Sequence, residues 1–217
     1  MVAVITADLV DSSSYSDSFL DEVLKSLKSE FENLQLEYGQ NEIDFEIYRG
    51  DSFQGVVLRY EDSLRIALRI KSLINKVKFK NQNSTNILAD VKIAIGIGNF
   101  EYKGDSIAAS NGQAFQLSGR TLDAMKNDSR RIRLKTPLEN LNAEFEASLF
   151  LLDMIMEKWS QASAEVVYFL LKGLKETEIA TVLKISQPAV NQRKKACGWE
   201  AISALLKRFE TVTAHSF

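Results

Sequence analysis

The chain has 217 residues, of which 45% are hydrophobic and 26% charged, and its formal net charge is −2. That is the profile of a folded globular protein with room for two domains, and it carries no global basic field announcing nucleic acid. One cysteine, Cys197, and one histidine, His215, exclude an internal disulfide framework and argue against a structural zinc site or a histidine triad, so chemistry must rest on carboxylates, hydroxyls, lysines and arginines. In chain order, Val2 to Leu9 reads as a buried strand, broken by Asp8. It lacks the basic start of a signal peptide, and no stretch reaches the roughly 18 apolar residues of a membrane span, so a cytoplasmic protein without membrane contact is expected.

A serine-rich loop, Asp11 to Ser16, leads to Asp17, placed to cap a helix carrying Phe19, Val23, Leu27, Phe31 and Leu34 on one stripe. Ile43, Phe45 and Ile47 alternate, then Gly50-Asp51 forms the tip of a hairpin whose second strand is Phe53 to Leu58. An amphipathic helix spans Glu61 to Lys78, a strand Asp90 to Gly98, a helix Gly112 to about Lys126, and a closing strand Arg130 to Leu134. This order predicts an α+β domain over residues 1–138, an antiparallel sheet of ferredoxin-like or cyclase-like type with helices on one face. After Pro137 the strand pattern stops, which predicts an all-α domain over 139–217.

Within that second part, Glu176 to Leu183 and Gln187 onward read as two helices joined by Lys184-Ile185-Ser186, with Ser186 as cap and Pro188 in the first turn. Between Lys172 and Arg208 eight basic residues face three acidic ones, a local +5 that leaves about −7 for the remainder. The run Gly173-Leu174 to Glu178-Ile179-Ala180, Leu183, Ile185-Ser186-Gln187 and Val190 resembles the helix-turn-helix of sigma-factor region 4 and of response-regulator output domains. The resemblance implies DNA contact by the second helix through Gln187, Asn191, Gln192, Arg193, Lys194 and Lys195. Lys194 departs from it, standing where such helices often carry leucine.

Asp8 ends the first strand and Asp51 sits at the hairpin tip. If those strands are neighbours, two carboxylates meet, and a cation must neutralise them. Mg2+ with a nucleotide phosphate is the natural partner, and the Val10–Ser14 loop, through Ser12 and Ser13, offers hydroxyls and N–H groups to a polyphosphate. Asp8-Leu9-Val10-Asp11-Ser12-Ser13, Gly50-Asp51-Ser52-Phe53, Ile95-Gly96-Ile97-Gly98 and Gly112 to Gln116 with Arg120 resemble, in order, the motifs of the class III nucleotidyl cyclase domain. The resemblance implies metal at Asp8 and Asp51, transition-state contacts from Gln116 and Arg120, and a site shared across a homodimer. Ile47 and Ala109 depart from it where cyclases place base-reading residues, and Gln116 replaces an asparagine.

The whole arrangement resembles the bacterial SatD family. It implies a DNA-binding transcriptional regulator whose cyclase-like domain senses a nucleotide. The alternatives are a divergent metal-dependent nucleotidyl cyclase and a non-catalytic protein-interaction module.

Overall fold

The computed structural model describes residues 1–48, 50–77, 88–101 and 110–217; Ala109 lies outside them. Strand β1 (Val2–Leu9) is apolar at both odd and even positions, the mark of a strand covered on both faces. It lies in the middle of a five-stranded sheet with β2 (Ile43–Tyr48), β3 (Ser52–Val57), β4 (Val91–Gly98) and β5 (Ile132–Lys135), in the order β2-β3-β1-β4-β5. The hairpin β2–β3 turns at Gly50, whose φ of 80° suits glycine.

Odd residues of β1 (Ala3, Ile5, Ala7, Leu9) face the main core with α1 (Asp17–Tyr38) and α2 (Ser63–Lys76). Even residues Val2 and Val4 meet Ala114 and Phe115 of α3 (Gln113–Ala124). The α+β fold expected from sequence is therefore present, with two refinements. First, α1 and α2 share one face, but α3 covers the other. It can do so because Gly96 has no side chain: a Cβ there would stand 2.3 Å from the Ala114 carbonyl oxygen. Second, β5 joins β4 in parallel, while the remaining pairs are antiparallel. The cap of α1 also moves by one residue, to Ser16, whose Oγ accepts from the Phe19 N–H at 3.3 Å.

From Glu139 the chain is helical: α4 (Glu139–Met156), α5 (Gln161–Leu171), α6 (Glu176–Leu183), α7 (Gln187–Ala196) and α8 (Trp199–Ser216). These helices do not hang from a linker. One apolar cluster runs from the sheet through Phe145 and Trp159 to Phe209. Polar ties cross the same junction. Arg65 of α2 pairs with Glu210 of α8 at 2.7 Å, Arg130 with Asp153 of α4 at 2.8 Å, and the Tyr168 hydroxyl of α5 donates to Glu30 of α1 at 2.6 Å. Glu30 also pairs with Arg69, and both are buried. Cys197 is buried, its Sγ bonded to the Lys194 carbonyl at 3.0 Å, and Trp159 donates to the Cys197 carbonyl at 3.0 Å.

Candidate functional site

Because β1 and β3 pair antiparallel with Asp8 opposite Ser52, the end of β1 and the tip of the hairpin meet. The Leu9 N–H donates to the Asp51 carbonyl at 3.0 Å and fixes that meeting. One hydroxyl, Ser52 Oγ, lies 2.8 Å from Asp8 Oδ1 and 3.3 Å from Asp51 Oδ1. The other Asp51 oxygen accepts from Ser12 Oγ at 2.8 Å. Among the described residues no ion pair closes on either carboxylate, although the Lys126 ammonium across the cleft feels the charge of Asp8. Asp8 and Ser52 open into a cleft of about 610 Å³, lined also by Thr6, Asp11, Tyr48, Lys92, Asp123 and Lys126, and Asp51 stands behind them at its edge through Ser52.

The floor of the cleft is a relay of hydrogen bonds. The Tyr48 hydroxyl donates to Gln54 at 2.6 Å, Gln54 Nε2 donates to Thr6 Oγ1 at 2.8 Å, and Thr6 meets Ser118 of α3 at 2.8 Å. Burial pushes the Tyr48 phenol above its ordinary range, with Glu46 adding to the rise, so Tyr48 is a fixed donor here. Lys92 Nζ closes the far wall by capping the end of α3, at 2.6 Å from the Met125 carbonyl and 2.9 Å from that of Lys126.

The loop between Leu9 and Tyr15 carries Ser12 and is held from beneath. Asp11 takes a left-handed conformation at φ 52° and starts a 3-10 turn at Ser12–Ser14. Tyr15 Oη donates to the Val10 carbonyl at 2.8 Å and accepts from the Asp90 N–H at 3.2 Å. The Val10 N–H donates to the Asp90 carbonyl at 2.8 Å. Asp90 is clamped in turn by Lys71, by Arg131 Nε at 2.7 Å and by Asn75 at 3.1 Å. Burial alone would raise the Asp90 carboxyl, but the Lys71 charge and these bonds hold it down at about 2.

Lys71, Asp90, Tyr48 and Thr6 were not singled out from sequence. Lys71 carried a signal: on α2 it shares the stripe of Leu64, Ala67, Leu68 and Ile74, an inward place for a lysine.

The fit to a metal can be judged from the donors. Two carboxylates and two hydroxyls are hard oxygen ligands of the kind magnesium or manganese accepts. Among the described residues there is no group of three or more His, Cys, Asp or Glu placed to hold an ion, so the remaining ligands would be water or a bound phosphate. Ser13 lies next to Ser12 in the same 3-10 turn, with no hydrogen bond from its side chain to the carboxylates.

Gln116 and Arg120 are exposed on α3, and Arg120 lines a separate hollow with Thr121, Arg133 and Glu139. One chain does not bring them to Asp8 and Asp51. Ile47 packs toward the main core, on the sheet face opposite the cleft.

In the helical part, α5, α6 and α7 share a small core of Val166, Ile179 and Val190. Ser186 caps α7 by accepting from Ala189 N at 3.4 Å. Sequence reading expects all six polar residues of α7 to be largely exposed, and the structure divides them. Gln187, Gln192 and Lys195 are exposed. Asn191 donates to Glu176 at 3.2 Å, Lys194 pairs with Glu176 at 2.8 Å, and Arg193 lies 3.8 Å from Glu165. The unusual lysine at 194 is thus explained: it binds the first turn of α6 rather than packing as a leucine would.

No family model matches the chain, and no curated protein matches it. The chain is similar to several solved structures. One is the catalytic core of a rhodopsin-guanylyl cyclase with converted specificity, in complex with ATPalphaS, at 19% identity and a TM-score of 0.42, covering 61% of this chain and 76% of that one. Another is a guanylate cyclase domain from Catenaria anguillulae in complex with GTP, at 21% identity and a TM-score of 0.40, with the same coverages of 61% and 76%. A third is a bacterial light-regulated adenylyl cyclase, at 13% identity and a TM-score of 0.42, covering 61% of this chain and 74% of that one. Among the described residues no helix is long and apolar enough to cross a membrane.

Proposed function

We propose that the cleft at Asp8 and Asp51 binds a nucleoside polyphosphate through a divalent cation. The observation that carries this reading is the pair of carboxylates joined through Ser52 Oγ, bonded by hydroxyls and, among the described residues, by no ion pair. Like charges in this arrangement suit an external cation. Lys92, which caps α3, and Lys126, which pairs with Asp123 at 2.8 Å, stand on the facing wall and supply the positive charge that phosphates brought by such a cation would meet. Bound magnesium would supply charge neutralisation and phosphate orientation; Asp8 and Asp51 would hold it, and Ser12 would fix the Asp51 carboxylate.

Titration calorimetry with ATP and GTP, each with Mg2+ or Mn2+, tests the reading. Metal-dependent binding weakened at least about tenfold in Asp8→Asn and Asp51→Asn is expected, which is about 1.4 kcal/mol. Binding unchanged by both variants would end it. The same samples separate binding from catalysis. Cyclic product abolished by Asp8→Ala and by Arg120→Ala would replace this reading with the cyclase one, in which a second copy supplies Gln116 and Arg120.

A second reading, duplex DNA contact by α7, is favoured by the exposure of Gln187, Gln192 and Lys195 on a capped helix whose neighbours are held by carboxylates. It expects salt-sensitive duplex binding that falls in Gln187→Ala with Lys195→Ala.

A further inference from the structure

A groove of about 670 Å³ runs between α4 and α8, away from the Asp8–Asp51 cleft. Its floor is apolar: Leu151 and Met154 from α4, with Ala201 and Leu205 from α8. Leu151 is 62% and Met154 45% exposed, although the same helix buries Leu149 and, at the groove's inner edge, Leu152. Its charged lining residues are all cations, namely Lys158, Lys195 and Arg208. Arg208 already reaches Glu144 at 2.9 Å, whereas no ion pair engages Lys158 or Lys195 among the described residues. The inner end is closed by a tight approach of backbone to side chain: a Cβ on Gly198 would stand 2.9 Å from Ile155 Cγ2.

Exposed large apolar residues beside a buried stripe mark a face built for a partner. The charges identify which partner. A two-fold contact of this groove with itself would set Lys158, Lys195 and Arg208 against their own copies, a like-charge rim that opposes self-association. We propose that the groove docks an acidic amphipathic helix of another protein, with apolar side chains on Leu151, Met154 and Leu205 and carboxylates on Lys158 and Lys195. This surface does not depend on the nucleotide reading; it shares Lys195 with the duplex reading.

Two labelled synthetic helices test it by fluorescence anisotropy on the full chain. Both carry leucine at i, i+3, i+4 and i+7; one fills its polar positions with glutamate, the other with lysine. The glutamate helix is expected to bind, more weakly at high salt, and to lose at least about tenfold in Leu151→Glu, where a mostly exposed side chain makes misfolding an improbable cause. Lys158→Glu with Lys195→Glu is expected to exchange the preference, binding the lysine helix instead. Circular dichroism of each variant checks the fold, and the exchange of preference keeps the proposal testable whatever Leu151→Glu does. No binding of the glutamate helix, equal binding of both helices, or indifference to the charge reversal overturns the proposal. So does a concentration-dependent dimer in sedimentation that Leu151→Glu abolishes, because a second copy would then be the occupant. Displacement of the glutamate helix by duplex DNA, with no dependence of helix binding on Leu151, would give the rim to nucleic acid and overturn the proposal as well.

Discussion

Two carboxylate clusters lie on either side of the short segment from Val10 to Tyr15, and they are solved in opposite ways. Asp90 is paired inside the protein by Lys71 and Arg131. Among the described residues Asp8 and Asp51 are hydrogen-bonded by serine hydroxyls and joined by no ion pair. A paired buried carboxylate is part of the scaffold, because removing either partner leaves a charge uncompensated. A pair of carboxylates held by hydroxyls carries charge that the proposed cation would neutralise. Tyr15 joins the two: its hydroxyl touches the Val10 carbonyl and the Asp90 N–H, so the rigid cluster positions the loop that carries Ser12 to the open one. The difference separates residues that should govern stability from residues that should govern ligand binding.

The comparison breaks most visibly at Asp90. Asp90→Ala strands the buried Lys71 ammonium, and about 3–5 kcal/mol of stability should disappear in urea unfolding. A loss below about 1 kcal/mol would show that Lys71 finds other partners. Acid should act on the same group. Its folded value of about 2 lies under the ordinary aspartate value of about 3.9. A depressed carboxylate stabilises the native state fully above the unfolded value, and that contribution fades as pH falls through about 4 toward 2. Unfolding midpoints of the wild type should therefore drop over this window, with a shallower slope in Asp90→Asn. Parallel slopes would assign the acid limb to other carboxylates.

At the open cluster the expectation reverses. Asp8→Asn and Asp51→Asn keep an oxygen acceptor for Ser52 and should change metal-free stability by no more than about 0.5 kcal/mol. Their effect should appear only with ligand: a rise in melting temperature with Mn2+ and ATP that the wild type shows and the variants lack. A large metal-free destabilisation in either would move this pair into the scaffold class.

How much of this was legible in the sequence depends on whether the signal was local. The alternation of Ile43, Phe45 and Ile47 and the Gly50-Asp51 tip contain the hairpin, and the apolar stripes contain α1 and α2. The meeting of Asp8 with Asp51 followed once the strands bearing them were neighbours. The side taken by α3 was harder to see. Its sheet-facing residues Ala114 and Ser118 are small or polar, so no strong stripe announces them, and the clearance comes from distant Gly96. The even positions of β1, Val2 and Val4, did carry a hint, since a strand open on one face would place polar residues there. The ion network was hidden for a different reason. Residue type sends Arg69, Lys71 and Glu30 to solvent even where, as for Lys71 and Glu30, the helical period places them inward, and only tertiary partners far along the chain make their burial tolerable.

The smallest effect concerns α7, where the same contrast recurs on the surface. Lys194 is engaged by Glu176 at 2.8 Å, while its neighbour Lys195 is exposed without a carboxylate partner among the described residues. A half-buried surface pair of this kind contributes up to about 1 kcal/mol, so Lys194→Ala should lower stability by that amount. Lys195→Ala should leave stability unchanged. On duplex DNA the order should invert. Lys195→Ala should weaken binding and reduce the salt slope by about one, as expected when one phosphate contact is lost. Lys194→Ala should do less, because Glu176 holds that ammonium in place within the protein. Equal slopes for the two variants would mean that the Glu176 pair opens on the nucleic acid and that the division of α7 into held and exposed residues does not extend to binding.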